Sequence, residues 1–567
     1  MKKQHHVLAT VTLLIGFFMA ILDTSIVNVV LPKMASHYGA SVQNIAWVAN
    51  GYSLSFAVFL LTASRLADQF GRKKSFMIGL LVFTLSSLLC GTATSIEMLI
   101  TYRILQGVGA ALIVPLVAPL LMNLYPPEKK TLMVGIMGAL GGLAAASGPA
   151  LGGILSDQLT WQWIFYINVP LGVAAFLTAM AVLRESSDPT ASRRLDVLGM
   201  LSVTIAALSL TLAFMQANDK GWSSIYIMSL FAIGIISLFA FLWVEAKAKE
   251  PMMPLSLFRP IRFTAGNAGL FLLGIGMTGP TFVLAFFLTA VGGKSELHAG
   301  FIISVLAVAS MFSSILSAKF VDRLGSRMFT VAGMLLLGLG TYLLSGLNES
   351  STTLDYVWRL IIAGMGTGMT ISTLTATTLL LAPMEKATIA MGIGTMARTM
   401  GTVFGIAILV ALLTSTTRTE MKSAVVEAVQ QVKSSSLDIS LQQQLIAALQ
   451  QANVSSGQGD TNTAWTKMTG VMKHKEQDAL AAAPATEQGK VKAKFAAVQD
   501  QLEQLWSRIQ QTMHHHLTMA FSTVFKFSCL SLVLGAIFAY INGEGGLGSH
   551  RRQEKKAREQ EIVTVRA

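Results

Sequence analysis

Along the chain, apolar stretches of about twenty residues, enough to cross a bilayer as helix, alternate with short polar breaks. They fall near 7–31, 44–64, 75–94, 98–124, 132–156, 163–183, 195–216, 224–246, 264–290, 299–318, 328–347, 356–382, 387–414 and 517–541, and are numbered spans 1 to 14 below. Glycines inside them do not argue against helix, because Gly is common in membrane helices and permits close packing. The first run follows a basic start at Lys2 and Lys3, as a signal peptide would. It continues past Asp23 to Leu31 with no small-residue cleavage site, which predicts a retained span.

Residues 415–516 break the rhythm, being rich in Gln, Ala, Ser and Lys. Within them Val491, Phe495, Val498, Leu502, Leu505, Ile509 and Met513 recur at alternating steps of four and three, which predicts a helix with an apolar seam leading into span 14. Leu441, Leu445 and Leu449 offer it a packing partner. The stretches from Asn453 to Thr463 and around 483–485 read as loops. With no cysteine and few large apolar residues, this insertion is expected to be loosely folded.

Composition agrees with the spans: 53% of the 567 residues are hydrophobic and 13% charged, with mean hydropathy +0.59. A water-facing domain carries roughly a quarter charged residues, so a soluble enzyme is excluded. The net charge of +13 would suggest nucleic acid on a soluble chain, but here the positive-inside bias accounts for it and no nucleic-acid partner is expected. Arg72, Lys73, Lys74, Lys129, Lys130, Arg184, Arg193, Arg194, Lys247, Lys249, Arg259, Arg262, Lys319, Arg323, Arg327 and Lys386 all fall in even-numbered loops. The odd-numbered loops offer chiefly Lys33, Lys220 and Lys294. Both termini are therefore expected in the cytoplasm, the basic tail included, and the insertion outside. The two cysteines, Cys90 and Cys529, lie in apolar runs without metal-ligand spacing, so neither a disulfide framework nor a metal site is implied.

One loop occurs twice. Ser64-Arg65-Leu66-Ala67-Asp68-Gln69-Phe70-Gly71-Arg72 follows span 2, and Ala318-Lys319-Phe320-Val321-Asp322-Arg323-Leu324-Gly325-Ser326-Arg327 follows span 10. Asp, then Gly three later, then a cation within two more predicts two homologous halves, the usual build of a secondary transporter.

Several motifs together resemble the major facilitator superfamily, in particular its fourteen-span drug:proton antiporters. Leu22-Asp23-Thr24-Ser25-Ile26-Val27-Asn28-Val29-Val30-Leu31-Pro32 is similar to that branch's first-span signature. The Asp68 loop resembles the superfamily's loop motif, with Ser64 and Gln69 where Gly and a basic residue are usual. Arg103, Gln106, Gly107 and Gly109 match the span 4 motif, and Trp161 to Pro170 resembles the branch again. Gly135, Gly148, Pro149, Gly152 and Gly153 match the span 5 antiporter motif, with Ala144 replacing a further Gly. The resemblance implies an all-α membrane protein of the major facilitator fold, with two six-helix bundles and two extra central helices. The expected parts are a first bundle over 1–184, inserted spans over 195–246, spans 9–13 over 264–414, an extracytoplasmic helical insertion over 415–516, span 14 over 517–541 and a cytoplasmic tail over 542–567.

Asp23 is the one acid deep in any span; Glu97, Asp196, Glu245, Glu296, Asp355 and Glu385 stand at span ends or in loops, where water is expected to screen them. A charge in the membrane is costly unless something requires it. Asp23 therefore reads either as a proton carrier for which a cationic substrate competes, or as packing glue bonded to Thr24 or Asn28. Arg103 matches its depth, counting turns of 5.4 Å, and reads as modulating Asp23 or as bonded to backbone carbonyls. Arg359 is its counterpart in span 12, followed by Ala363 and Gly364, and could be only structural. Gly148-Pro149 kinks span 5 while Gly152 and Gly153 permit close approach, as a hinge or seal or as plain packing. Asp68, Gly71 and Arg72, with Asp322, Arg323 and Gly325, form a gate latch or serve topology alone. Asn28, Gln106 and Arg398 are expected at the substrate cavity. Lys526 is expected at the periphery, and His514 to His516 on a solvated surface, since consecutive residues point around a helix.

The function expected from these features is proton-coupled antiport of lipophilic compounds, cations foremost, out of the cell through the inner or plasma membrane by alternating access. No cofactor is expected beyond the proton gradient, and no Walker A pattern supports ATP drive. Expected partners are small lipophilic substrates, protons and the bilayer, with an extracytoplasmic adaptor protein as an open option. A transporter dedicated to one metabolite, peptide or lipid, and a transporter-like receptor using the insertion, are the alternatives. A membrane enzyme is disfavoured for want of a nucleophile and base pair.

Overall fold

The computed structural model describes residues 2–125, 127–186, 196–248, 250–383, 386–451, 461–484 and 487–544. Arg193, Arg194, Lys249, Glu385, the 453–460 loop and the basic tail from 545 lie outside the described residues. So do the side chains of Asp68, Lys129, Lys130, Gly135 and Asp322. The regular structure of the described residues is helical, with no strand among them. Thirteen helices among them are long and apolar enough to cross a membrane. They match the predicted spans other than span 5, which is a helix over Pro127–Gln158 packed between spans 1 and 10.

The breaks have local causes. Serines 41, 95, 224 and 295 cap spans 2, 4, 8 and 10, each accepting the amide three residues on. Gly71 (φ +111°) and Gly325 (φ +88°) turn span 2 into span 3 and span 10 into span 11, a left-handed backbone that favours glycine. Span 9 holds a π-helical turn over Gly279–Val283.

Loop contacts sort into two sets, as alternate crossings require. Thr10 near the chain start bonds Tyr125 of the fourth loop at 2.8 Å, Arg72 N donates to Ser186 O at 2.8 Å, and Arg262 pairs with Glu544 at 2.6 Å. This side carries the even loops and is called the basic face. On the opposite face Tyr38 donates to Ala93 O at 2.8 Å, and His37 stacks edge-on against Trp161 at 5.5 Å.

The chain divides into two compact units: one of Met1–Gly346, Ser351–Ala411 and Val524 onward, the other of Leu347–Ser350 and Leu412–Thr523. The first unit holds the spans. Its two halves meet where span 5 lies along span 10: a Cβ on Gly153 would stand 2.7 Å from Glu296 O, and one on Gly300 would overlap Pro149 O. Gly148 and Gly152 pack the same helix against Ser25 and Ile26 of span 1.

The second unit has an apolar core of its own, contrary to the loose fold expected. Met421, Ala424, Ala428 and Val432 pack with Leu441, Leu445, Leu449, Leu502, Leu505, Ile509 and Met513, and Trp465 stacks on Trp506 at 5.1 Å. The predicted seam and its leucine partner are both there, and alanines on one helix let the others approach, so few large residues suffice. Helices over Ala387–Lys433 and Gln488–Asn542 outrun the predicted spans because no Gly or Pro interrupts residues 406–433 or 490–516. A helix over Thr461–Ala482 occupies part of the expected loop. His516 is not solvated: its side chain is 14% exposed and its two ring nitrogens face Glu420 at 2.7 Å and Glu427 at 3.3 Å.

Candidate functional site

Spans 1, 2, 3, 4 and 6 of the first half converge on one polar cluster. Asp23 is 0% exposed and Arg103 1%, and the two form a salt bridge between Arg103 Nη1 and Asp23 Oδ2. Gln106, one helical turn along span 4, donates to Asp23 Oδ1 at 3.0 Å while its Oε1 accepts Arg103 Nη1 at 2.7 Å. Asn168, which opens the main helix of span 6, donates to the same Oδ1 at 3.3 Å. Ser87 of span 3 accepts from Gln106 at 3.2 Å and Asn168 at 3.1 Å and donates to Phe165 O at 2.9 Å.

Arginine suits this place because its planar fork reaches several acceptors at once and its face stacks on aromatic rings. Nε donates to Val48 O at 3.0 Å, and the guanidinium carbon lies 4.3 Å from the Tyr52 ring centre and 5.7 Å from that of Phe165. Tyr52 is held by its hydroxyl donating to Ala20 O at 3.1 Å. A Cβ on Gly107 would overlap Tyr52 O and Ser55 Oγ, so glycine there brings span 4 close enough to span 2 for this stacking. Asp23 thus accepts from three side chains, the arrangement that pays for a buried carboxylate.

The predicted depth match of Asp23 and Arg103 is realised as direct contact. Thr24 bonds Ile21 O instead of Asp23, and Asn28 is half-buried further along span 1. Gln106, expected at a cavity wall, is fully buried inside the cluster, because its amide is needed to bridge Arg103, Asp23 and Ser87. Arg398 is half-buried in span 13, its carbonyl packed against Gly274 of span 9. Arg359 pairs with Asp355 of its own first turn at 3.4 Å and stacks on Trp358 at 4.5 Å. Lys526 is exposed, as expected. Asn168, Ser87 and Tyr52 were not anticipated; the amide of Asn168 within an otherwise apolar span was the available signal.

On the basic face, Glu185 from the end of span 6 accepts the Lys73 amide at 2.9 Å and the Lys74 amide at 3.3 Å, closing on Gly71, where a Cβ would stand 2.6 Å from the carboxylate. Arg72 is half-buried and Arg323 exposed. In the second half, Arg327 donates to Gly543 O at 3.1 Å and Glu544 N to Ser326 Oγ at 2.9 Å beside Gly325.

Two helical halves, a repeated glycine turn and a charge pair buried among the spans define a membrane transporter of the secondary type. The sequence matches the profile of the Major Facilitator Superfamily over residues 13–406, and the chain belongs to that superfamily. It is 30% identical over 413 residues to the multidrug transporter protein MdtP of Bacillus subtilis, covering 73% of this chain and 76% of that one. It is 32% identical over 421 residues to the multidrug resistance protein Stp of Mycobacterium tuberculosis, covering 73% and 78%. Among solved structures, a bacterial homologue of the human lysosomal transporter Spinster aligns with TM-score 0.55 at 15% identity, covering 95% of this chain and 98% of that chain, a likeness of fold. The protein is a multi-pass membrane transporter and not an enzyme.

Proposed function

We propose that this transporter is a proton-coupled exporter of lipophilic compounds, cations foremost, working by alternating access with Asp23 as its proton carrier. The observation that carries this reading is Asp23 itself: a carboxylate sealed among five spans, held by Arg103, Gln106 and Asn168. Such a group is costly in a membrane and marks a proton or ion relay by default. Asn168 Oδ1 is buried without a hydrogen-bond partner among the described residues. Rotation of that amide would offer an acceptor to a protonated Asp23, so the cluster can receive a proton without stranding it. Arg103 then holds Asp23 while it is ionised and is released toward Gln106 and Val48 O when it is not.

The relatives named for multidrug transport and resistance support the substrate class. The excess of Lys and Arg on the basic face supports a plasma membrane orientation with that face, and both termini, in the cytoplasm. The Gly71 and Gly325 turns act as latches there, and the Gly153 and Gly300 contact acts as a seal between halves on the opposite face.

Efflux of a fluorescent lipophilic cation from energised cells tests the reading. Wild-type efflux should stop when the proton gradient is collapsed, and Asp23→Asn should abolish it while the protein remains in the membrane. Undiminished efflux by Asp23→Asn would remove the carrier role from this residue.

A further inference from the structure

A second cation stands deep in the spans, this one in the second half. Arg103 is answered by Asp23. Arg398, near the middle of span 13, makes no hydrogen bond, ion pair or ring contact through its guanidinium among the described residues. Such a cation is costly inside a membrane and is kept where it faces water or a ligand.

Which way it faces follows from what packs on each side of span 13, at about 100° per residue. Gly394, Gly401 and Gly405 share one side, and a Cβ on each would stand against Leu270, Phe271 or Ile275 of span 9. Gly392 lies nearly opposite, where a Cβ would meet Leu61 of span 2. Met396, Met400 and Val403, also on that opposite side, join the core that holds Leu13, Phe17 and Leu61 of the first half. Two sides remain between these contacts. One carries Ala397, Phe404 and Ile408; the other carries Thr395, Arg398 and Thr402, all half-buried. A charged side of a spanning helix turns from lipid, so Arg398 faces the space between the halves.

That space has a second wall. Span 1 packs against spans 2, 4, 5, 6, 9 and 10, so Thr24, exposed in its middle, opens on an interior and not on lipid. Asn28, one turn on, is half-buried, with no partner for its side-chain amide among the described residues. Asp23 offers this space no charge, being 0% exposed and held by Arg103, Gln106 and Asn168. Thr399 and Thr402 donate their hydroxyls to carbonyls of span 13 itself. No described acid acts on Arg398.

We propose that Arg398 is a substrate-binding residue that recognises an anionic group, so that the transporter takes lipophilic carboxylates and zwitterions as well as cations. Its planar fork matches a carboxylate with two parallel bonds. Met391, exposed two turns away on the same side of span 13, offers an adaptable apolar contact to the rest of the molecule. The proposal rests on the export function given above and adds a charge class to it.

The test is binding of a rhodamine with a free carboxylate, and of its ethyl ester, to purified full-length protein in nanodiscs, read by fluorescence anisotropy. Wild type should bind the carboxylate, and Arg398→Gln should lower the ratio of carboxylate to ester affinity by about tenfold or more, as loss of a hydrogen-bonded charge does. If Arg398→Gln fails to fold, Arg398→Lys, which keeps the charge without the fork, should still lower that ratio. Wild type that does not bind the carboxylate, or an unchanged ratio in the folded variant, would overturn the assignment. Failure of the proton-coupled reading shows separately: efflux of both dyes from cells would persist when the proton gradient is collapsed, while the Arg398 difference in binding remained and upheld this site.

Discussion

In the first half of the molecule Gly71 turns span 2 into span 3 and Glu185 from span 6 closes on the turn; in the second, Gly325 turns span 10 into span 11 and Gly543 and Glu544 close on it from span 14. Gly107 lays span 4 on Tyr52 and Ser55 of span 2, and Gly364 lays span 12 on Leu306 and Ala309 of span 10. Aligning those two glycines places Leu360, fully buried, at the position of Arg103. Arg359 is one residue out of register, a rotation of about 100° on a helix of 3.6 residues per turn, and finds its partner in Asp355 of its own first turn. The repeat has thus kept positions where backbone geometry leaves no alternative to glycine, while a fully buried ion pair occurs, among the described residues, in the first half alone. The first half holds the buried Arg103–Asp23 pair on a frame that the second half shares.

The largest effect should come from breaking the charge pair. Arg103→Met leaves Asp23 sealed without its cation and should cost about 3–5 kcal/mol of stability, read as a large fall in unfolding temperature in detergent. Leu360→Met, the matching change in the second half, should cost under about 1.5 kcal/mol. Adding Asp23→Asn to Arg103→Met should recover most of the loss without restoring efflux. Equal sensitivity of Arg103 and Leu360 would end the comparison.

Next come the shared glycines. Gly107→Ala and Gly364→Ala each drive a methyl into a backbone carbonyl of the neighbouring span, Tyr52 O or Leu306 O, and should each cost about 1–3 kcal/mol. If only Gly107 mattered, the close approach would belong to the charged site and not to the frame.

The frame itself was readable from sequence because a bilayer makes hydropathy, loop charge and any buried acid conspicuous. Asp23 and Arg103 stood out for that reason, and counting turns put them at one depth. Neutral polar residues carry a weaker mark: Ser87 is one of many hydroxyls, and Asn168, though the one amide within residues 163–183, is brought to Asp23 only by the fold. Glu245 was expected in water because it ends a span. It is sealed because the chain from Glu250 to Pro254 folds back over it, a loop contact that hydropathy does not encode. His516 meets Glu420 and Glu427 across nearly a hundred residues of sequence through helix pairing, which local spacing does not specify. The seam of residues 491–513 was legible, whereas the Thr461–Ala482 helix, poor in large apolar residues, was not.

The smallest effects should lie at the basic-face turns, where the halves reach one arrangement by different contacts. In the second half, Arg262 and Glu544 are 34% and 40% exposed, so solvent screening leaves their pair at most about 1 kcal/mol. In the first half, Glu185 is exposed and sits at the start of span 3, accepting the Lys73 and Lys74 amides, a charge–dipole contact of about 0.3–1 kcal/mol. Glu544→Gln and Glu185→Gln should therefore each lower the unfolding temperature slightly, with both effects shrinking as salt is raised. Their consequences should still differ. Glu185→Gln keeps an acceptor for the span 3 amides, and Glu544→Gln keeps the Glu544 N to Ser326 bond but surrenders its ion pair with Arg262, so the second-half turn should show the steeper salt dependence. Matching salt dependences would mean that the two turns are held by their shared glycine backbone alone, and that the carboxylates beside them are incidental.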